Sequence, residues 1–285
     1  MTMGLPLRSA PIRLLDDRDL PAAREVLARN PIADVFVASR VQACGLAPWR
    51  LGAQMWGHMV DGQLAALCYS GANLWPVAAG PASAKVFAER ARRQGRRCSS
   101  IVGVAETVLA MWRHLEPGWG PAREVRADQP LLAISKPPAV APDPAVRQVR
   151  PDELDVLLPA CVAMFTEEIG VSPVRDDGGA LYRARVAEFV NQRRSFARIE
   201  DGRVVFKAEI GAVAGDVCQI QGVWVAPELR GTGIGTAGTA SVVALAQATL
   251  APVVSLYVNG YNHAARRVYD RVGFYRAGTF ASILF

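Results

Sequence analysis

The chain has no apolar run near the roughly 18 residues that a membrane-spanning helix needs, so no membrane partner is expected. Between Met1 and Leu15 the apolar stretches are broken by Pro6, Arg8, Pro11 and Arg13. No secretory leader or stop-transfer segment is read there, and the cytoplasm is the expected compartment. Cysteine is sparse. Cys44, Cys68, Cys98, Cys161 and Cys218 are odd in number and include no C-x-x-C pair, which argues against a disulfide framework or a zinc knuckle. His58, His114 and His263 are equally scattered, and no metal site is expected.

The chain does carry enough apolar residues for a core. At 51% apolar and 20% charged it is not a disordered chain, and 285 residues suit two domains better than one. The net charge of +6 is confined to the first half, where residues 1–140 hold 17 basic and 11 acidic side chains; the rest is balanced at 15 each. Much of the excess is Arg90, Arg92, Arg93, Arg96 and Arg97. Such a run suits phosphates or nucleic acid. It also suits a solvated helix end, where cations favour the C-terminal carbonyls. No aromatic residues interleave to stack bases, so a nucleic-acid partner is disfavoured.

The sharpest break in composition is 136–145, with Pro137, Pro138, Pro142 and Pro144. Proline lacks the N–H that helices and ladders use, so the segment reads as a semi-rigid linker between domains at 1–135 and 146–285. Both halves open with helical stretches, over 20–41 in the first and over 152–164 and 180–194 in the second. Each then shows strand-like runs around an Asp-Gly turn, Asp61-Gly62 and Asp201-Gly202. Strand-like runs at 98–102 and 253–258 follow, each before a further helix. The expected fold class is α+β, a mostly antiparallel sheet flanked by helices, present in two tandem copies.

The most informative stretch runs from Cys218 to Ala248. Ile220, Val223 and Val225 mark a strand broken by Gly222, and a glycine there signals a bulge or a close backbone approach. An Ala-rich helix follows. Between them stand Arg230, Gly231, Thr232, Gly233, Ile234 and Gly235. A glycine turn opening a helix is an anion site, because its peptide N–H groups are unpaired and the helix dipole adds to them. A nucleotide-binding Walker loop needs a closing Gly-Lys-Ser/Thr, which is absent. A dinucleotide fingerprint can be lettered through Gly233, Gly235 and Gly238, but Val258, Asn259 and Gly260 stand where its acidic residue belongs.

Arg230-Gly231-Thr232-Gly233-Ile234-Gly235 resembles the pyrophosphate loop of the GNAT superfamily of acyl-CoA N-acyltransferases. The upstream Val223-Trp224-Val225-Ala226-Pro227 and the downstream Asn262, Ala265, Tyr269, Gly273 and Phe274 match the flanking motifs of that family. The resemblance covers about 195–285 well and 150–195 loosely. The first half looks like a degenerate copy, since the corresponding region, 73–80, lacks the glycine loop. Its role is left open.

The resemblance implies an acetyltransferase using acetyl-CoA as co-substrate, with direct attack by a primary amine in a ternary complex. It implies donor contacts from Val223, Trp224, Val225, Arg230, Gly231, Thr232, Gly233, Ile234, Gly235 and Asn262, with the Val223 amide facing the thioester oxygen. Tyr269 is implied as the general acid that protonates the leaving thiolate, and as a donor contact. It follows Asn262 by seven residues, two helical turns, so the two share a face. Many family members place a glutamate on the strand before the loop, where this chain has Gln219 and Gln221. Candidate bases are then Glu167 and Glu168, near the end of a helix, or Glu209, which strand alternation sets beside Lys207. A second reading keeps acyl-CoA binding without catalysis, as a regulator. The acceptor and the oligomeric state are not readable.

Overall fold

A computed structural model describes residues 12–174 and 178–285. Pro6, Arg8 and Pro11 lie outside the described residues. The chain forms two compact units, Met1–Leu131 with Gly278–Phe285, and Leu132–Ala277.

The first repeat runs β1 (Ile12–Leu14), α1 (Leu20–Leu27), α2 (Pro31–Cys44), α3 (Pro48–Leu51), β2 (Gln54–Val60), β3 (Gln63–Ser70), β4 (Asn73–Val77), α4 (Pro81–Gln94), β5 (Ser100–Val104), α5 (Ala105–Trp119) and β6 (Glu124–Ile134). The second runs β7 (Arg147–Gln148), α6 (Leu154–Ile169), α7 (Ala180–Asn191), β8 (Ser195–Glu200), β9 (Arg203–Ala214), β10 (Val217–Val225), α8 (Ile234–Thr249), β11 (Val253–Tyr257), α9 (His263–Val272) and β12 (Tyr275–Leu284). Apart from the short α3, the two repeats match element for element. This is the α+β fold in tandem that the two Asp-Gly turns suggest.

The reason is local. Asp61 and Gly62 have φ of 49° and 80°, and Asp201 and Gly202 have 48° and 72°. Two successive positive φ values make the tight turn that matches strand twist, so β2–β3 and β8–β9 close as hairpins. The helix expected over 20–41 is divided at Pro31, which starts α2 with Asn30 as its cap, the side chain accepting from the Ala33 N–H. Each repeat has one parallel pair joined by a crossover helix, β4–α4–β5 and β10–α8–β11. The remaining registered pairs are antiparallel.

In the first unit the strand order is β1-β2-β3-β4-β5, with Phe280–Leu284 of β12 on the outer edge of β5. In the second it is β11-β10-β9-β8-β7, to which only the last residues of β6, 132–134, are added. The last eight residues therefore group with the first unit, whereas the sequence boundary at 146 assigned them to the second. The segment 136–145 is also part of the second unit. Ala139 donates to the Val272 carbonyl, Asp143 N–H to that of Ala237, and the Asp143 carboxylate pairs with Arg198 at 2.9 Å. These bonds tie the segment to α8 and α9, whereas a free linker would leave the same groups to water.

In the second unit Phe206, Ala208 and Ile210 of β9 face one core with Val242, Val243 and Ala246 of α8. Ala197 and Val204 face the other, with Leu157 and Cys161 of α6 and Val186 and Val190 of α7. In the first unit Arg90 lies over the Trp56 ring and Arg96 over Phe285, at 5.0 and 4.9 Å. Two of the five clustered arginines thus pack on aromatic faces of their own unit.

Asp34 of α2 is 3% exposed, and among the described residues its carboxyl has no hydrogen-bonding or ionic partner. Burial pushes its pKa up to about 7 from an ordinary 3.8. Between these values the folded chain holds a proton that the unfolded chain has lost, so stability falls as pH rises through this range. Asp34→Asn is expected to stabilise the protein at pH 8, on the order of 4 kcal/mol from the size of the shift. The gain should vanish near pH 4. Urea melts at the two pH values measure both.

Candidate functional site

The site grows from a parting of strands. β10 and β11 pair from Val217–Val253 to Gln219–Ser255, and no pairing is registered beyond. β10 continues to Val225 bonded to β9 alone, with a register shift between Gln221 and Trp224 that leaves one extra residue on β10. Gly222 sits in this bulge at φ +61°. A Cβ there would stand 3.1 Å from Glu209 Oε2 and from Met164 Cε, and 3.3 Å from Lys207 Nζ. The bulge thus places bare backbone directly over side chains of β9 and α6. It also turns Val223 and Val225 to the core that α8 covers, and Trp224 to the one that α6 and α7 cover.

The turn after β10 leads into α8. Gly231 and Gly233 have φ of +82° and +98°, and a Cβ on either would meet nothing within 4 Å. Gly233 is the N-cap of α8, with no side chain capping the helix. Among the described residues no backbone partner is found for the amides of Gly231 to Gly235. An unclosed cluster of N–H groups at the positive end of a 16-residue helix is an anion receptor. Thr232 Oγ1 braces the turn by donating to the Leu229 carbonyl at 2.7 Å. A Cβ on Gly235 would lie 3.3 Å from Val225 and 3.9 Å from Val268, so this turn brings α9 beside the end of β10. Gly238, read above as a third dinucleotide glycine, lies inside α8, where a Cβ would clash with the Phe206 ring at 2.8 Å. Its role is packing.

Tyr269 projects from α9 into the core that Val223 and Val225 border, its ring 5.7 Å from that of Phe274. It is 6% exposed, and among the described residues its hydroxyl has no hydrogen-bond partner. Burial raises its pKa well above the ordinary phenol value, and the Glu168 carboxylate raises it further. Asn262 caps α9, its side-chain oxygen accepting from the Ala265 N–H at 3.1 Å. Its side-chain NH₂ remains for a ligand.

The three candidate carboxylates fall in three different settings. Glu167 accepts from Arg230 at 2.8 Å and from Trp224 Nε1 at 3.3 Å, which ties the end of α6 to the glycine turn. Arg230 also donates to the Val225 carbonyl at 3.1 Å. Glu168, exposed one residue later, acts through space on Tyr269 and on Tyr182 of α7. Glu209 is 5% exposed and forms an ion pair with the fully buried Lys207.

The pairing of Lys207 and Glu209 on one face of β9 is the one that strand alternation implies. Strand alternation says nothing of the third member, Cys161 from α6. Its Sγ lies 3.4 Å from Lys207 Nζ and 3.5 Å from Glu209 Oε1, and its carbonyl accepts from Tyr182 Oη at 2.9 Å. Burial pushes the Cys161 thiol up to about 12, against the pull of Lys207. Burial alone would push Lys207 down. The Glu209 carboxylate and the Cys161 sulfur outweigh that, and the net direction is up. The cluster holds its protons through the neutral range.

Residues 164–274 match a family profile described as "Acetyltransferase (GNAT) family". The second unit carries a GNAT acetyltransferase domain. Residues 53–157 match a profile described only as a domain of unknown function, DUF4081. The fold of the whole chain is that of solved GNAT proteins. A GCN5-related N-acetyltransferase from Sphaerobacter thermophilus aligns with TM-score 0.58 at 17% identity, over 99% of this chain and 97% of that one. A GNAT acetyltransferase from Colwellia psychrerythraea gives 0.56 at 14%, over 96% and 99%. A tandem GNAT protein from the clavulanic acid biosynthesis pathway gives 0.55 at 14%, over 96% and 98%. No curated protein matches the chain. In the GNAT domain no group of three or more metal-ligating side chains occurs among the described residues, and no described helix is long and apolar enough to cross a membrane.

Removing one partner of the buried pair tests its weight. Glu209→Gln leaves the Lys207 ammonium buried without a counter-charge and is expected to cost about 3–5 kcal/mol in urea denaturation. The double variant Lys207→Met/Glu209→Gln, with no charge left to bury, should recover most of that loss.

Proposed function

We propose that the GNAT domain transfers an acetyl group from acetyl-CoA to a primary amine, by direct attack in a ternary complex. The observation that carries this reading is the turn from Gly231 to Gly235, whose amides open a helix beside two parting strands. The donor diphosphate rests on those amides, with the Arg230 guanidinium at their edge. The pantetheine arm lies along β10 past Gln219 and bonds its backbone as an added strand would. The Asn262 side-chain NH₂ is a further donor to it. Trp224 contributes its backbone alone, because its side chain packs on the far side.

The Val223 N–H faces the thioester oxygen and stabilises the charge that develops there. As the nitrogen–carbon bond forms, the carbon–sulfur bond breaks. The departing sulfur takes a proton from Tyr269, and one amine proton is released, so the products are an amide and a free thiol. Burial keeps Tyr269 in its proton-donating form throughout the neutral range. A thiolate leaving within the same apolar surroundings is raised in basicity too, which keeps the transfer matched. Glu168, whose charge reaches Tyr269, attracts cationic amines to this end of the domain before they lose their proton. Glu167 holds Arg230 instead.

The direct test follows thiol release from acetyl-CoA across an amine library, with donor hydrolysis as the baseline. Amine-dependent release supports the reading. Tight coenzyme A binding with no such release would make the domain a binding regulator. Gly233→Asp sets a Cβ and a negative charge where the diphosphate belongs and should abolish measurable coenzyme A binding by calorimetry. Unchanged affinity would overturn the assignment of the turn. Tyr269→Phe should lower kcat by about 10²–10⁴-fold while donor affinity holds.

A further inference from the structure

We infer that the acceptor is a primary amine of low basicity, of the α-amino class, which reaches the thioester already neutral because the carboxylates nearest the transfer point are engaged by fixed cations. This deepens the acyl-transfer reading and rests on it.

Glu209 is the acid closest to the bulge, and it is closed on every side. Its Oε1 receives the Lys207 ammonium and the Cys161 thiol. Its Oε2 abuts Gly222, where even a Cβ would stand 3.1 Å away with Met164 Cε at the same distance. No amine nitrogen reaches that oxygen past the backbone and the methionine. The groups around it are Lys207 on its own strand, Cys161 from α6, Tyr182 from α7, Ser195 on β8 and Gln221 on β10. None of these is a base at neutral pH, since Lys207 and Cys161 retain their protons. Glu167 has one oxygen on Arg230 and the other on Trp224. On β10 itself, Gln219 and Gln221 have no basic atom, and Gln221 lies over Gly211. Glu168 is exposed to water, so a proton passed to it is passed on to solvent.

An ε-amino group, with pKa about 10.4, is neutral in about 1 molecule in 800 at pH 7.5, whereas an α-amino group at 7.7–8.0 is neutral in about one in three. A site without a proton acceptor for the ammonium discriminates between them by that ratio, offset in part by the greater nucleophilicity of the more basic amine. With a neutral acceptor the balance closes simply. The nitrogen bonds the acetyl carbon, the sulfur departs with the Tyr269 proton, and the proton lost by nitrogen goes to water, which restores Tyr269.

The test uses one lysine-containing tripeptide in two forms, the first blocked at the ε-amine and the second at the α-amine, with the full-length protein and acetyl-CoA. The α-amine form should give kcat/KM more than tenfold higher at pH 7.5, rising with pH through a midpoint near pH 8 to a plateau by about pH 9. The ε-amine form should still be rising at pH 9.5. In Glu168→Gln and in Lys207→Met/Glu209→Gln, whatever happens to the rate, the position of each rising limb should stay with its peptide. A limb common to both peptides, its loss in either variant, or preference for the ε-amine would overturn the inference while leaving acyl transfer intact. No thiol release with either peptide or with any amine of the library would remove the acyl-transfer reading and this inference with it.

Discussion

A β-strand that loses its neighbour must find other partners for its peptide groups, and the second unit is organised around one such loss. β10 and β11 begin as an ordinary parallel pair and separate after Gln219. The separation is held open from both ends. At the far end Gly231 and Gly233 turn the chain into α8, and the close approach at Gly235 seats α9 against Val225. At the near end the Gly222 bulge rests on Glu209, Lys207 and Met164. Neither support tolerates a side chain in its place without a shift of backbone or of neighbours. A gap kept open in this way carries bonding groups but no strand, which is the arrangement that an added strand or strand-like ligand can complete.

The buried ion pair belongs to this scaffold. Two charges removed from water are a costly way to fill a core, and a pair of apolar residues of similar volume would often serve stability as well. Their position explains their presence better than their energy does. A fixed ammonium and carboxylate under the bulge form a rigid polar floor, with Cys161 bonded to both and Tyr182 fastening the Cys161 backbone. The pair holds this floor in one hydrogen-bonded arrangement directly under the Gly222 bulge.

What could be read from the residues alone was what their local conformations decide. Asp201-Gly202 specifies its turn, Gly231 and Gly233 specify theirs, and Asn262 with Gly273 brackets α9. Each depends on a few neighbouring dihedrals. The contacts that assign the carboxylates are of another kind. Cys161 meets Glu209 across 48 positions, and Arg230 meets Glu167 across 63. No period or motif encodes such meetings, because they follow from how α6 packs on β9 and β10. The proline-rich stretch misleads for a related reason. Missing N–H groups remove it from helix and sheet, yet say nothing about whether its remaining amides, such as those of Ala139 and Asp143, find carbonyls on α9 and α8.

The first unit shows what the same architecture becomes without the glycines. Its parallel pair also registers briefly, from Asn73–Ser100 to Leu74–Ile101, before β4 and β5 part from each other. Here, however, the crossover helix starts at Pro81, which has no N–H to offer, and Ala78 turns the chain at φ +51° in place of a glycine. The Ala79 carbonyl is held by Thr107 Oγ1 at 2.7 Å. Between the strands, a Cβ on Gly103 would already touch the Pro76 carbonyl and Trp75 Nε1 at 3.5 Å. The Trp75 ring stacks on Phe36 at 4.7 Å and meets Phe280 edge-on at 5.7 Å. An aromatic cluster therefore lies beside the parting, and the helix that follows opens on a proline and not on a glycine turn. One repeat keeps the parting open with glycine and buried charge; the other fills it with proline and tryptophan.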